Sequence, residues 1–143
     1  MNKTAIITGA TSGIGEATAR LFASESYDLV ITGRRAERLR ELKRELESEF
    51  NVDVRALSFD IRDRYQCEAM LGSLPERYRQ VDVLVNNAGL ASGLEHIDQG
   101  DPTDWEAMID TNLKGLLYVT RIVSGWMIAA GKGHKSDRSH VVL

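Results

Sequence analysis

The sequence predicts an α/β fold, a doubly wound parallel sheet that is truncated after the start of the fifth strand. Three observations carry this expectation. Short apolar runs recur between turn residues, amphipathic helical stretches alternate with them, and a glycine-rich turn follows the first run directly. Strands of a parallel sheet are covered on both faces, so they read as continuous apolar runs rather than as alternating ones. Crossovers between such strands are right-handed, which leaves few topologies open. The expected strand order is 3-2-1-4, with anything later absent or reduced to a stub, so that the fourth strand forms an exposed edge.

Each element has its own signal. Ala5-Ile6-Ile7 is the first strand, and Ile14, Ala17, Thr18, Leu21 and Phe22 follow it at helical spacing. Leu29-Val30-Ile31 is the second strand. Leu39, Leu42, Leu46 and Phe50 then share one face of a highly charged helix. Val52, Val54 and Ala56 alternate like a strand and lead to Asp60; a helix is expected from about Asp63 to Ser73, with Pro75 closing that region. Val83-Leu84-Val85 is the fourth strand. Thr103 and Glu106 have the spacing of a capping box, which predicts a helix from Asp104. Leu113, Leu116, Leu117, Thr120, Val123 and Met127 trace the face it should bury, and Gly131 and Gly133 should stop it. Lys132 to Ser139 reads as loop, and Val141-Val142-Leu143 as the opening of a fifth strand.

Bulk properties exclude several functions. The chain has 143 residues, one domain's worth, with an apolar fraction of 43% and a net charge of -3. That charge argues against a general nucleic-acid binder, which carries a basic excess. Cys67 is the single cysteine, so neither an intrachain disulfide nor a thiolate metal cluster can form. His96, His134 and His140 lack metal-ligand spacing, and no metal site is expected. There is no apolar run near the ~20 residues of a membrane span. No charged leader with a long apolar core opens the chain, so a cytoplasmic location is expected.

The glycine turn carries the chemistry. Gly9, Gly13 and Gly15 stand between a strand and a helix, where glycines permit close backbone approach to a phosphate and the helix end offers N–H groups and a positive dipole. The competing reading is a plain tight turn. A nucleoside-triphosphate loop is disfavoured, because Glu16 and Ala17 follow the last glycine instead of Lys-Ser/Thr. The pattern therefore points to a Rossmann dinucleotide site. Such a site usually carries an acid ~20 positions on, for the ribose 2′-hydroxyl. Here Gly33-Arg34-Arg35 occupies that place. Guanidinium groups would pair with a 2′-phosphate, which predicts NADP(H) and disfavours S-adenosylmethionine. The bland alternative is a solvated basic helix start, supported by the Glu37–Arg40 and Glu41–Arg44 spacings.

Together with Asp60, Asn86-Asn87-Ala88-Gly89 and Thr111-Asn112-Leu113-Lys114-Gly115, the loop Thr8-Gly9-Ala10-Thr11-Ser12-Gly13-Ile14-Gly15 resembles the short-chain dehydrogenase/reductase family across residues 3 to about 133. Gly33-Arg34-Arg35, Asn87-Ala88-Gly89-Leu90-Ala91 and Asp104-Trp105-Glu106 look most like its NADP-dependent 3-hydroxy acid dehydrogenases, which oxidise serine and allo-threonine. The resemblance implies roles. Gly9, Ala10, Thr11, Ser12, Gly13, Ile14 and Gly15 would line the phosphates. Arg34 and Arg35 would hold the 2′-phosphate. Asp60, beside the Ile61 backbone, would accept from the adenine amino group. Asn87, Ala88 and Gly89 would flank the adenosine ribose and support the sheet. Asn112, the one member of the family's catalytic set in this chain, would break the long helix and hold a water for proton relay. Each has a structural alternative: Asp60 as a cap of the helix near Asp63, Asn86-Asn87 as a turn, Asn112 as a helix junction.

The family's tyrosine and lysine, four residues apart, and its serine are expected beyond the fifth strand. Tyr27, Tyr65, Tyr78 and Tyr118 are followed four residues later by Ile31, Ala69, Asp82 and Ile122, so no Tyr-x-x-x-Lys pair is present. Residues 134–143 depart from the pattern, since Lys135-Ser136-Asp137-Arg138-Ser139 precedes the apolar His140-Val141-Val142-Leu143, and Trp126 stands where the family passes from glycine to methionine. A truncation, frame change or artificial boundary near residue 134 is the expectation. Three functions stay open: an NADP(H)-dependent oxidoreductase, an NADP(H)-binding module without turnover, and an interaction protein with an empty loop. Self-association into a homo-oligomer is expected in each case.

Overall fold

The computed structural model describes residues 1–93, 95–131 and 140–142. Five parallel strands, β1 (Thr4–Ile7), β2 (Asp28–Gly33), β3 (Val54–Ser58), β4 (Val83–Val85) and β5 (His140–Val142), form one sheet in the order β3-β2-β1-β4-β5. This is the Rossmann arrangement. The helices are α1 (Gly13–Ser24), α2 (Ala36–Glu49), α3 (Arg64–Gly72), α4 (Pro102–Ile109) and α5 (Leu116–Ala129), with a 3₁₀ turn at Glu76–Arg79.

Strand periodicity sorts the core into two layers. Ala5, Ile7, Leu29, Ile31, Val54 and Val83 face α1 and α2, where Ala19, Ala23, Leu39, Leu42 and Leu46 are buried. Ile6, Val30, Leu57 and Leu84 face the other way, onto Cys67 and Leu71 of α3 and Val119, Val123 and Met127 of α5. Successive strand residues point to opposite faces, so the sheet is covered on both sides. Burial pushes the Cys67 thiol up to about 11, which leaves it a packing residue. At the N-terminal ends of β2 and β3, Arg77 bridges Asp28 (3.1 Å) and Asp53 (2.6 Å) and donates to the hydroxyl of fully buried Tyr78 (2.7 Å).

Four sequence expectations need correction. First, β5 pairs with β4 through Asn86 N to Val142 O and His140 N to Asp82 O, so β4 is not an edge; β5 is. Secondly, α4 starts before the Thr103–Glu106 box: Asp101 caps it by accepting from Thr103 N (2.8 Å), with Pro102 in the first turn. Proline has the right φ for that position and lacks an N–H that would go unused there. Thirdly, the buried stripe is Gly115, Val119, Val123 and Met127, whereas Leu113 and Leu117 are 58% and 61% exposed. The chain between α4 and α5 is a π-turn, Asp110–Gly115. Its wider turn redirects the helix face, and it falls where the resemblance places the Asn112 break. Fourthly, Glu41 pairs with Arg38 (3.3 Å). The loop expected over 132–139, and Leu143 of the fifth strand, lie outside the described residues. Among the described residues no helix is long and apolar enough to cross a membrane.

Candidate functional site: a cleft at the strand ends

The C-terminal ends of β1 to β4 surround a cleft of about 480 Å³. Open α/β sheets bind their ligands at this end, where strand order reverses about β1. The glycine loop forms its rim. Gly9 has φ +63°, a left-handed conformation, and its carbonyl accepts from Ser12 N (3.2 Å), Ser12 Oγ (2.9 Å) and Asn87 Nδ2 (3.0 Å). Ser12 Oγ in turn accepts from Gly15 N (3.2 Å), capping α1. Ala10 N donates to Thr32 O (3.0 Å) on β2. On the other side Thr8 Oγ1 accepts from Asn87 N (3.1 Å) and Ala88 N (3.0 Å). The loop is thereby bolted to both neighbouring strands before any ligand arrives.

The glycines divide into two kinds. A Cβ on Gly9 would meet Ala88 Cα at 2.6 Å, and one on Gly15 would meet the Gly9 carbonyl oxygen at 2.1 Å. These positions are closed by the protein itself. Gly13 has nothing within 4 Å, so the space before it is open.

At the β2 end Arg34 and Arg35 line the cleft. Arg35 Nη2 donates to Thr11 O (2.9 Å), so its guanidinium lies across the cleft mouth against the loop. Asp60 and Ile61 line the cleft after β3. Asp60 does not cap α3; Asp63 does, by accepting from Tyr65 N (2.9 Å) and Gln66 N (3.2 Å). Instead the Asp60 carboxylate holds Arg62 (2.7 Å), and that hydrogen bond keeps it below the usual carboxylate range, with Arg34 adding to the effect. Glu16, in the first turn of α1, is likewise held low by its bonds to Arg38 (2.6 Å) and Arg20 (3.0 Å).

Of the residues expected from sequence, Gly9, Thr11, Ser12, Arg34, Arg35, Asp60, Ile61, Asn87, Ala88 and Gly89 line the cleft. Ala10, Gly13, Ile14, Gly15 and Asn112 are not among its lining residues. Ala10 is fully buried behind the loop, and the Ile14 side chain is exposed. Asn112 spends both polar groups on the backbone of one residue: its Nδ2 donates to Leu90 O (2.9 Å) and its Oδ1 accepts from Leu90 N (2.8 Å). It ties the segment after β4 to the π-turn. Thr32, Phe59, Leu90 and Thr111 also line the cleft and were not expected. Gly33, read from sequence as the residue before the arginines, lines it too; Phe59, Leu90 and Thr111 each adjoin an expected position and Thr32 lies two residues before Arg34, and that nearness was the only signal. Thr8, quoted only as the first residue of the loop motif, turns out to be its anchor. Among the described residues no group of three or more His, Cys, Asp or Glu could hold a metal ion.

A strand–glycine loop–helix unit, an anchored asparagine after β4 and a π-turn around Asn112 now stand together, and the model of the short chain dehydrogenase family matches residues 3–134. The chain belongs to that family. Among curated proteins, this chain is 48% identical over 129 residues to the NADP-dependent 3-hydroxy acid dehydrogenase YdfG of Salmonella typhi, covering 90% of this chain and 50% of that protein. It is 48% identical over 120 residues to serine 3-dehydrogenase of Agrobacterium fabrum, covering 84% and 47%. Among solved structures, the closed form of serine dehydrogenase complexed with NADP+ superposes with a TM-score of 0.79 at 47% identity, covering 88% of this chain and 49% of that one. The chain thus spans about half the length of the relatives it matches.

The cleft also fits the ligand class that the family handles. Arg34 and Arg35 line it at the β2 end, and Thr32 Oγ1, buried at the cleft floor, has no hydrogen-bond partner among the described residues.

Proposed function

We propose that this chain is the cofactor-gripping half of an NADP(H)-dependent short-chain oxidoreductase acting on a small hydroxy acid or the corresponding carbonyl compound. The observation that carries the cofactor assignment is the pair Arg34 and Arg35 at the β2 end of the glycine-loop cleft, where an NAD site would place an acid. The relatives named for 3-hydroxy acids and serine support the substrate class. Gly9, Thr11 and Ser12 would cradle the pyrophosphate, Arg34 and Arg35 the 2′-phosphate, and Asp60 with Ile61 the adenine. Bound NADP(H) supplies the hydride donor or acceptor, and the residues present here bind and orient its adenosine side.

Turnover is a different matter. Among the described residues no tyrosine lines the cleft, and Tyr78 is fully buried in the core. Without a Tyr-x-x-x-Lys pair the transition state lacks general acid/base help, worth ~10²–10⁴-fold. These 143 residues are expected to bind NADP⁺ by calorimetry, NAD⁺ far more weakly, and 2′-phospho-ADP-ribose nearly as well as NADP⁺. No absorbance change at the nicotinamide band is expected with serine or other 3-hydroxy acids. Equal binding of the two dinucleotides overturns the cofactor assignment, and turnover overturns the binding-only reading.

Self-association is part of the same proposal. Ile109, Leu113, Leu117 and Ile128, 49–75% exposed, recur along one side of the α4–π–α5 rod. A second copy of this chain would cover that face. Sedimentation velocity is expected to show a dimer or larger species, reduced by Leu113→Glu with Leu117→Glu. A monodisperse wild-type monomer overturns it.

A further inference from the structure

We propose that Arg62 sets how sharply the cleft distinguishes a 6-amino purine from a 6-oxo purine, by occupying the carboxylate of Asp60 that would read that position. The inference rests on the NADP(H) reading and deepens it.

A carboxylate has two oxygens and about four acceptor positions. In this structure three N–H donors of Arg62 engage both oxygens. Its backbone N–H and its Nε donate to Asp60 Oδ1 at 3.0 Å each, and its Nε and Nη2 donate to Oδ2 at 3.0 and 2.7 Å. The turn is fixed from the α3 side as well. Asp60 N donates to Gln66 Oε1 (3.1 Å), while Gln66 Nε2 donates to Asp63 Oδ2 (3.1 Å). Asp60 is therefore held in the cleft lining with both carboxylate oxygens already engaged by Arg62.

An amino group arriving at Asp60 has to share an oxygen with Arg62 or displace it. Displacement is feasible, because the Arg62 side chain is 36% exposed and such pairs contribute little. A 6-oxo group arriving at the same place meets a guanidinium that can donate to it. The Asp60–Arg62 pair thus offers an acceptor and a donor side by side, and the wild-type cleft should discriminate poorly between the two purines. Arg62 is a positioning residue here: it acts through Asp60, and its removal frees the acceptor and removes the donor together.

The test is the ratio of dissociation constants, 6-oxo analogue over NADP⁺, by calorimetry on the full chain, with far-UV circular dichroism as a check on folding. Wild type is expected to give a ratio within roughly threefold of one. Arg62→Met should raise it roughly tenfold or more, the scale of one hydrogen bond to a charged group. Asp60→Asn, whose amide can donate to the 6-oxo group, should lower it. A ratio that is unchanged or lower in Arg62→Met, with NADP⁺ still bound, overturns this inference and leaves the cofactor reading standing. An unchanged ratio in Asp60→Asn overturns it too, because Asp60 then does not read the 6-position. Failure of the wild-type chain to bind NADP⁺ at all overturns the cofactor reading and this inference with it.

Discussion

Gly15→Ala is expected to destabilise the chain by about 3 kcal/mol, while Gly13→Ala, two residues away on the same helix, leaves stability within about 1 kcal/mol of wild type. Glycine is the poorest ordinary helix residue, so alanine inside a helix normally stabilises. At Gly15 the new Cβ would stand 2.1 Å from the Gly9 carbonyl oxygen and 2.6 Å from Asn87 Nδ2. Neither can retreat cheaply. The Gly9 carbonyl is held by Ser12 and Asn87, and the Asn87 backbone is held by Thr8. Relief requires the loop to part from β4 or α1 to slide. For a domain with a total stability of ~5–15 kcal/mol, that loss is large. Gly13 has open space around it, so its variant should fold normally, and it does not line the cleft, so NADP⁺ binding should change little. Urea denaturation and NADP⁺ calorimetry on both variants test this. Equal stability of the two variants would show that the loop is less tightly bolted than its hydrogen bonds indicate.

The double variant Arg34→Ala with Arg35→Ala is expected to weaken NADP⁺ binding at least roughly 100-fold, since each charge-assisted hydrogen bond contributes ~1.5–3 kcal/mol and two are lost. NAD⁺ binding should change much less, which makes the ratio of the two affinities the decisive readout. The single variants should differ from each other. The Arg34 backbone carbonyl accepts from Ser58 Oγ (3.2 Å), a contact that alanine preserves. Arg34→Ala should therefore act on the 2′-phosphate alone. Arg35 also donates to Thr11 O, so Arg35→Ala should loosen the loop and cost some affinity for both dinucleotides. Added salt should reduce NADP⁺ affinity in wild type more than in the double variant, because a cleft-mouth charge pair is screened. If the double variant retains its preference for NADP⁺, the arginines are a solvated helix start and another group reads the phosphate.

Much of the site was legible without coordinates because its signals are local. A glycine needed at a strand–helix junction and arginines ending β2 are both properties of adjacent residues. The same holds for strand content: Ala5-Ile6-Ile7 and Leu29-Val30-Ile31 are apolar without interruption because each strand is covered on both faces. Where the reading failed, the cause was a choice between competing local signals. Asp101-Pro102 outweighed Thr103–Glu106 as the start of α4. The α4–α5 region carries two apolar stripes, and periodicity cannot say which one meets the sheet.

By itself, then, the sequence determined the order of strands and helices, the position of the glycine loop, the arginines in place of an acid, and the absence of a Tyr-x-x-x-Lys pair. Tertiary structure decided the rest. Packing of Gly115 against Ile61, where a Cβ would sit at 2.7 Å, selects the Gly115–Val119–Val123–Met127 stripe and turns Leu113 and Leu117 outward. Pairing of β5 with β4 removes the edge expected there. The tie from Asn112 to Leu90 and the recruitment of Thr32, Phe59 and Thr111 to the cleft depend on how separate segments meet. Short-range preferences are encoded residue by residue, but which of two adequate surfaces is buried is settled only when the segments compete for the same space.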